Sequence, residues 1–484
     1  MFRFTDNLNE NVRRMNALFE NDSTYICRIV ENGHGLRCAL FFLDGMVESS
    51  SINDNILFPI TRSQCGTVPL EELVHRILQI DDVKLNADTD QAFSAMLYGD
   101  TILLMDGDSR PLVLNTKGFS RRSPEEPDNE KVIRGPREGF IEAFMTNLSL
   151  IRRRLRNPNL KFSFQKLGTV TRTTVCLCYI DGLADQRVLE EVKLRLSKID
   201  LDSILDSNYL TEFIRDNPRS PFPTVGVTER PDIAAAKLLE GRIAIVVDGT
   251  PAVLTVPHIL QESFQTNDDY YVSYLYSNAN RFLRILGFLL TISIPAVYCA
   301  MLLWHQELIP TRLFFSVCAA RAGVPFPTLV EAVLLLIVFE ILKESGTRTP
   351  GPIGQALSIV GGLVLGQAAV EARFVSAPMV IVIAFAGITG LVVPKLKTAA
   401  LLLRFFLLGC AAVLGLYGYL FGLSLVLCWL CAMQSFGIPY LTNLLPSDRT
   451  GGRDIAVRFP WYAMKRSHRF LADPFYYDSG EDKP

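Results

Sequence analysis

Catalytic signatures are missing from this 484-residue chain. It holds no G-x-x-x-x-G-K-[ST] phosphate loop, no H-E-x-x-H, no G-x-S-x-G and no dinucleotide fingerprint. Its five histidines, His34, His75, His258, His305 and His468, are scattered without metal-ligand spacing. We therefore expect no enzyme, no cofactor and no bound metal. An excess of charge is missing too: 48 Lys and Arg against 50 Asp and Glu give a formal net charge of −2. With no zinc, helix-turn-helix or base-stacking pattern either, nucleic-acid binding is not expected. The opening MFRFTDNLNENVRRMN has no apolar run, so no cleaved signal peptide is expected and the first half reads as cytoplasmic. Several of the ten cysteines lie on apolar, strand-like or membrane-like runs, and they read as buried, reduced thiols. Cys428 and Cys431 match C-x-x-C but have no second pair, which argues against a redox or zinc site.

What the chain does have is two unlike halves. Residues 1–280 carry charges throughout, with turn signals at short intervals, and their length suits two domains. LRCALFFLDG (36–45) aligns with TTVCLCYIDG (173–182), and YGDTILLMDG (98–107) with EGRIAIVVDG (240–249). An internal repeat at this spacing implies duplication. The second Asp-Gly of each copy, at Asp106 and Asp248, is flanked by β-branched and apolar runs, the pattern of a hairpin closed by a tight primed turn. Between the strands, LEELVHRILQI (70–80) and DQRVLEEVKLRLSKI (185–199) show helical periodicity. The expectation is two related mixed α/β domains, 1–130 and 131–280. The second opens on a linker helix from about Glu138 that bears Arg152, Arg153, Arg154 and Arg156. That basic cluster is either a solvated helix end or a docking face for anionic lipid or an acidic subunit.

Residues 281–443 read as an all-α transmembrane domain, with candidate crossings at 285–304, 327–343, 353–372, 377–394, 399–420 and 422–442. An even number of crossings, with basic inner loops and a basic tail over 444–484, places both termini in the cytoplasm. HQELIPTRLFFSVCAARAGVPFP (305–327) reads as interfacial. The tail's Phe459, Trp461 and Tyr462 suit an aromatic anchor at headgroup level.

The second crossing carries Glu331 and Glu340, each of which costs about 2.5–3.5 kcal/mol near a bilayer centre. Nine residues separate them, half a turn out of phase, so they cannot share one partner helix. At least one faces a polar path or pairs with an arginine such as Arg312, Arg321 or Arg404. In the third crossing Ser358, Gly362 and Gly366 form a small-residue packing seam. Val360, Val364, Gln367 and Glu371 lie on roughly the opposite face, which either lines a narrow pore or packs in an ordinary bundle.

GPREGFIEAFMTNLSLIRRRLRNPNLKF, VDGTPAVLTVPHILQESFQTNDDYY, LIPTRLFFSVCAARAGVPFPTLVEAVLLLIVFEILKESGTRTPGPIGQALSIVGGLVLGQAAVEARFVSAPMVIVIAFAGITG and RFPWYAMKRSHRF carry a likeness that runs over nearly the whole chain. They resemble the A subunits of the GerA-type spore germinant receptors, and equally the spore membrane paralogues that accompany the dipicolinic acid channel. The resemblance implies a multi-pass protein of the spore inner membrane. It implies work with a permease-like B subunit that senses nutrient and a lipoprotein C subunit, and a homo-oligomeric, ring-shaped cation channel. A proton-coupled secondary transporter and a non-conducting scaffold are the alternatives. Against the transporter, the repeat lies in the soluble half and not in the membrane half.

Overall fold

The computed structural model describes residues 3–66, 68–85, 88–118, 127, 130–132, 134–348, 362, 364–441 and 457–463. Its layering follows from alternation along the longest strands. After β1 (Tyr25–Glu31), the strand β2 (Arg37–Leu43) sends Cys38, Leu40 and Phe42 into one core and Ala39, Phe41 and Leu43 into another. Successive side chains of a strand leave on opposite faces, so an unbroken apolar run needs a covering layer on both. With β3 (Val83–Lys84), β4 (Thr101–Met105) and β5 (Leu112–Leu114) it forms an antiparallel sheet in the order β1-β2-β4-β5-β3. Helices α1 (Leu8–Leu18) and α2 (Thr89–Met96) cover one face, and short helical turns between residues 49 and 77 cover the other.

The second unit repeats this plan. Strands β6 (Leu160–Leu167), β7 (Thr173–Ile180), β8 (Gly226–Thr228), β9 (Ile243–Val247) and β10 (Val253–Val256) pair in the order β6-β7-β9-β10-β8. Helices α3 (Phe144–Arg154) and α6 (Pro231–Leu239) cover one face, and α4 (Gln186–Ser197) and α5 (Ser207–Ile214) the other. Helix α3 starts at Phe144 and not near Glu138, because Phe140 N–H donates to Glu229 O and holds the preceding residues along the second unit.

The Asp-Gly hairpins exist, but not as two-residue turns. The β4–β5 loop runs from 106 to 111 and the β9–β10 loop from 248 to 252. Pro111 and Pro251 lack the N–H that a ladder needs, which delays pairing until after them. Gly107 (φ 89°) and Gly249 (φ 81°) supply the left-handed residue that opens each loop. Asp106 acts as a turn and cap group, its Oδ1 accepting from Leu8 N–H at 3.2 Å.

The helical half contains α7 (Tyr274–Leu303), α8 (Thr311–Arg321), α9 (Thr328–Arg348), a helix over 364–371, α10 (Ala377–Gly390) and α11 (Lys397–Ala432). Among the described residues, two stretches are long and apolar enough to cross a membrane by length and composition, Tyr274–Leu303 and Pro394–Ala432. Helix α7 begins at Tyr274, eleven residues before the expected crossing at 285. Within α11, Gly415 (φ 63°, ψ −141°) breaks the helical path. A Cβ on Gly418 would strike Cys410 O at 2.1 Å, and one on Gly422 would meet Leu407 at 3.1 Å. In a straight helix residues 410 and 418 lie about 12 Å apart, so the chain reverses at Gly415 into two antiparallel arms. The reversal comes earlier than the 420–422 boundary read from hydropathy, since a glycine can take this backbone and sits beside Trp304 and His305. The second arm ends at Ala432 and not at 442. A two-residue turn at Phe436 (φ 50°) and Gly437 (φ 81°) then joins β11 (Gln434–Ser435) to β12 (Ile438–Pro439). This hairpin docks on the second α/β unit, with Ser435 Oγ donating to Thr224 O (2.8 Å) and accepting from His258 N–H (3.1 Å).

Candidate functional site: buried charges in and beneath the helical half

Both carboxylates of α9 are engaged, and by different elements. Glu331 is fully buried; its Oε1 accepts from the N–H and hydroxyl of Ser376, the N-cap of α10, both at 2.6 Å. Its Oε2 lies 3.7 Å from Arg321 Nη2 on α8 and makes no hydrogen bond among the described residues. Glu340, nine residues on, reaches Arg404 Nη1 of α11 at 3.3 Å and Lys343 Nζ at 3.4 Å. Arg404 also donates Nε to Thr291 O of α7. The half-turn offset directs the two carboxylates to separate helices, and each charge meets a cation instead of hydrocarbon.

Of the third-segment residues, Ser358 and Val360 lie outside the described residues. Gly362, Val364, Gln367 and Glu371 are exposed, while Gly366 is half-buried with open space up to Val380 of α10, 3.9 Å from where a Cβ would stand. The exposed face is thus the one carrying Val364, Gln367 and Glu371.

The arginine cluster is largely spent inside the chain. Arg152 is buried: its Nη2 donates to Asp22 Oδ2 (2.7 Å) and Thr24 Oγ1 (3.1 Å) of the first unit, and its guanidinium lies over Phe162. Arg154 pairs with Glu138 at 2.8 Å, Arg153 approaches the same carboxylate at 3.8 Å, and Arg156 stacks over Tyr98. Arg152 is therefore neither a solvated helix end nor open to lipid. It clamps the two α/β units together.

A denser charge network, unmarked in the sequence reading, lies where the second unit meets the helices. Arg242 is buried between Glu240 (2.8 Å) and Glu262 (2.6 Å) and donates to Pro257 O. Lys237 Nζ bridges the same two carboxylates at 3.2 and 3.1 Å, and His258 Nδ1 stands 3.3 Å from Glu262 Oε2. Burial pushes the Glu262 carboxyl up, but Arg242, Lys237 and His258 outweigh it and hold it well below the usual range. Burial lowers His258, with Glu262 opposing, so the imidazole is held below its ordinary value. Nearby, Asp269 accepts from Arg284 (2.7 Å) and Arg281 (3.1 Å) at the base of α7, and Arg458 donates to its backbone carbonyl. The i,i+4 pair His258–Glu262 after a strand and the two arginines opening an apolar helix were the legible signals.

The chain as a whole matches a known family. The family model described as "Bacillus/Clostridium GerA spore germination protein" matches residues 13–470. The chain belongs to the GerA family. It is 43% identical over 463 residues to "Uncharacterized membrane protein YfkQ" of Bacillus subtilis, covering 95% of this chain and 90% of that one. It is 41% identical to "Spore germination protein KA" of the same species (91% and 81% covered) and 34% identical to "Spore germination protein GerLA" of Bacillus cereus (93% and 92%). The crystal structure of the N-terminal domain of the A subunit of the Bacillus megaterium spore germinant receptor GerK3 aligns at TM-score 0.42 and 32% identity. It covers 52% of this chain and 96% of that one. GerA-family chains are spore germination proteins and not known as enzymes.

Proposed function

We propose that this GerA-family chain is the A subunit of a spore germinant receptor, oligomerising in the spore inner membrane into a nutrient-triggered cation channel. A permease-like B subunit and a lipoprotein C subunit are its partners. The observation that carries the reading is the exposed face of the 364–371 helix, where Gln367 and Glu371 share a surface with Val364. A carboxylate turned to lipid costs about 2.5–3.5 kcal/mol, whereas a second copy across a narrow aqueous path removes that cost. Six crossings are supported by the reversal at Gly415 and by the return of the β11–β12 hairpin to the unit from which α7 departs. The division into units at 1–130, 131–280, 281–443 and 444–484 belongs to the same reading.

The test is the mass of the full-length protein in nanodiscs, followed by cation flux from liposomes. A closed oligomer that conducts, and leaks more when Val364→Ser is introduced, supports the channel. A non-conducting monomer overturns it. The proton-coupled transporter is favoured by one observation, the buried Glu331 Oε2 that makes no hydrogen bond among the described residues; pH-gradient-driven uptake lost in Glu331→Gln would select it.

A further inference from the structure

A cavity of about 460 Å³ opens between the second α/β unit and the turn that leads into α11. That volume is within the range of small-molecule sites, roughly 300–1,000 Å³. One wall is apolar, built by Val225, Val227, Ile233, Ala236 and Leu239 from β8, α6 and their flanks. Tyr270, Tyr271 and Trp461 add aromatic surface, the last from the segment that Arg458 ties to the base of α7.

The charges at this cavity are unevenly satisfied. Glu262 and Glu240 are held by Arg242 and Lys237. Asp232 accepts from Arg230, Asn267 Nδ2 (2.9 Å) and Tyr271 OH (2.6 Å). Glu130 Oε2 accepts from Thr228 Oγ1 (2.7 Å) and Glu229 N–H (3.0 Å). Lys395 differs. It lines the cavity, is exposed, and has no ion-pair or hydrogen-bond partner among the described residues. Every lining carboxylate is already committed to donors of the protein, while one ammonium faces the void.

We infer that this cavity binds a small amphipathic anion, its carboxylate or phosphate on Lys395 and its apolar body against the β8–α6 wall and the aromatic rings. A mostly apolar pocket with one placed charge fixes the orientation of such a ligand, and a charge-assisted contact supplies selectivity over a neutral analogue. The site bridges the second unit and the helical half, so occupancy biases how the two are seated, which is the requirement for coupling between separate regions. The inference does not depend on the channel reading, since it concerns binding to the chain whether or not it conducts.

The ligand can come from solution or from the adjoining lipid, and the experiment separates these. The full-length protein in phosphatidylcholine nanodiscs is titrated with 4-fluorobenzoate, read by ¹⁹F line broadening, with 4-fluorobenzyl alcohol as the neutral comparison. Binding of the anion alone, weakened about tenfold or more by Lys395→Gln and restored by Lys395→Arg, supports a soluble anion. Native mass spectrometry showing phosphatidylglycerol retained by wild type and lost in Lys395→Gln supports the lipid source. Equal binding of acid and alcohol, binding unchanged in Lys395→Gln, or no binding of either probe together with no phosphatidylglycerol retained by wild type overturns the inference. Restoration by Lys395→Arg guards against a folding defect being read as lost affinity.

Discussion

The two α/β units share a strand order and differ in what their equivalent ends do. Aligning YGDTILLMDG with EGRIAIVVDG places Asp100 opposite Arg242. In the first unit Asp100 makes a local pair with Lys117 at 2.9 Å, with Lys117 about one-third exposed. In the second, Arg242 is buried and ties its strand to the 257–262 segment that leads to the helices. In one unit this end is self-contained, while in the other the same end is the seat of the helical half. The two units share a scaffold, and opposite charges at one aligned position go with their different roles.

That contrast can be broken first where burial is deepest. Glu262→Ala leaves buried Arg242 and Lys237 sharing Glu240 as their one remaining carboxylate, and removing one partner of a buried pair costs about 3–5 kcal/mol. A large fall in thermal midpoint is expected, against a much smaller one for Asp100→Ala in the first unit. Equal shifts would abolish the distinction between the two ends. Arg152→Met is next: it strands buried Asp22 at the boundary between units, with a loss of similar order, about 3–5 kcal/mol. Limited proteolysis should then release the units as separate fragments, and Asp22→Leu added to Arg152→Met should restore much of the loss.

A smaller, pH-dependent effect sharpens the comparison. His258 is held below its ordinary value, so an unfolded chain takes up this proton before the native one. Stability is whole above about pH 6.5 and declines as pH falls below it. Glu262, held well below its ordinary value, adds a second decline below about pH 4.3, present above that and lost through the folded value. Thermal midpoints against pH should show both steps, and His258→Gln should remove the first. The smallest effect is expected at Arg187, whose side chain is 90% exposed beside Asp185. Arg187→Ala should leave the midpoint where it is, as exposed pairs contribute little.

Much of this molecule was legible in local pattern. Alternating and continuous apolar runs announced the strands, the repeated Asp-Gly motifs announced duplication, and the offset of Glu331 and Glu340 required two partner helices. The misreadings have physical causes. Hydropathy cannot see a reversal inside a continuously apolar stretch, so the turn at Gly415 was placed too late. The charge cluster at Arg242 was hidden because its members look like ordinary surface residues one at a time, and only closure of β9, α6 and the 257–262 segment buries them together. Arg152 read as a helix-end charge for the same reason: its partner Asp22 is far away in sequence.

By itself the sequence determined the two-sheet N-terminal half, the apolar helical half, the family and the phase of Glu331 and Glu340 along one helix, because each is written in short-range periodicity or in long matching motifs. Tertiary structure alone decided that Glu331 is pinned by Ser376 and Arg321, that the end of the helical half returns to the second unit through Ser435, and that Lys395 opens onto a cavity. Those outcomes rest on contacts between residues remote in the chain, and the free energy of burying a charge is set by whichever partner the fold delivers.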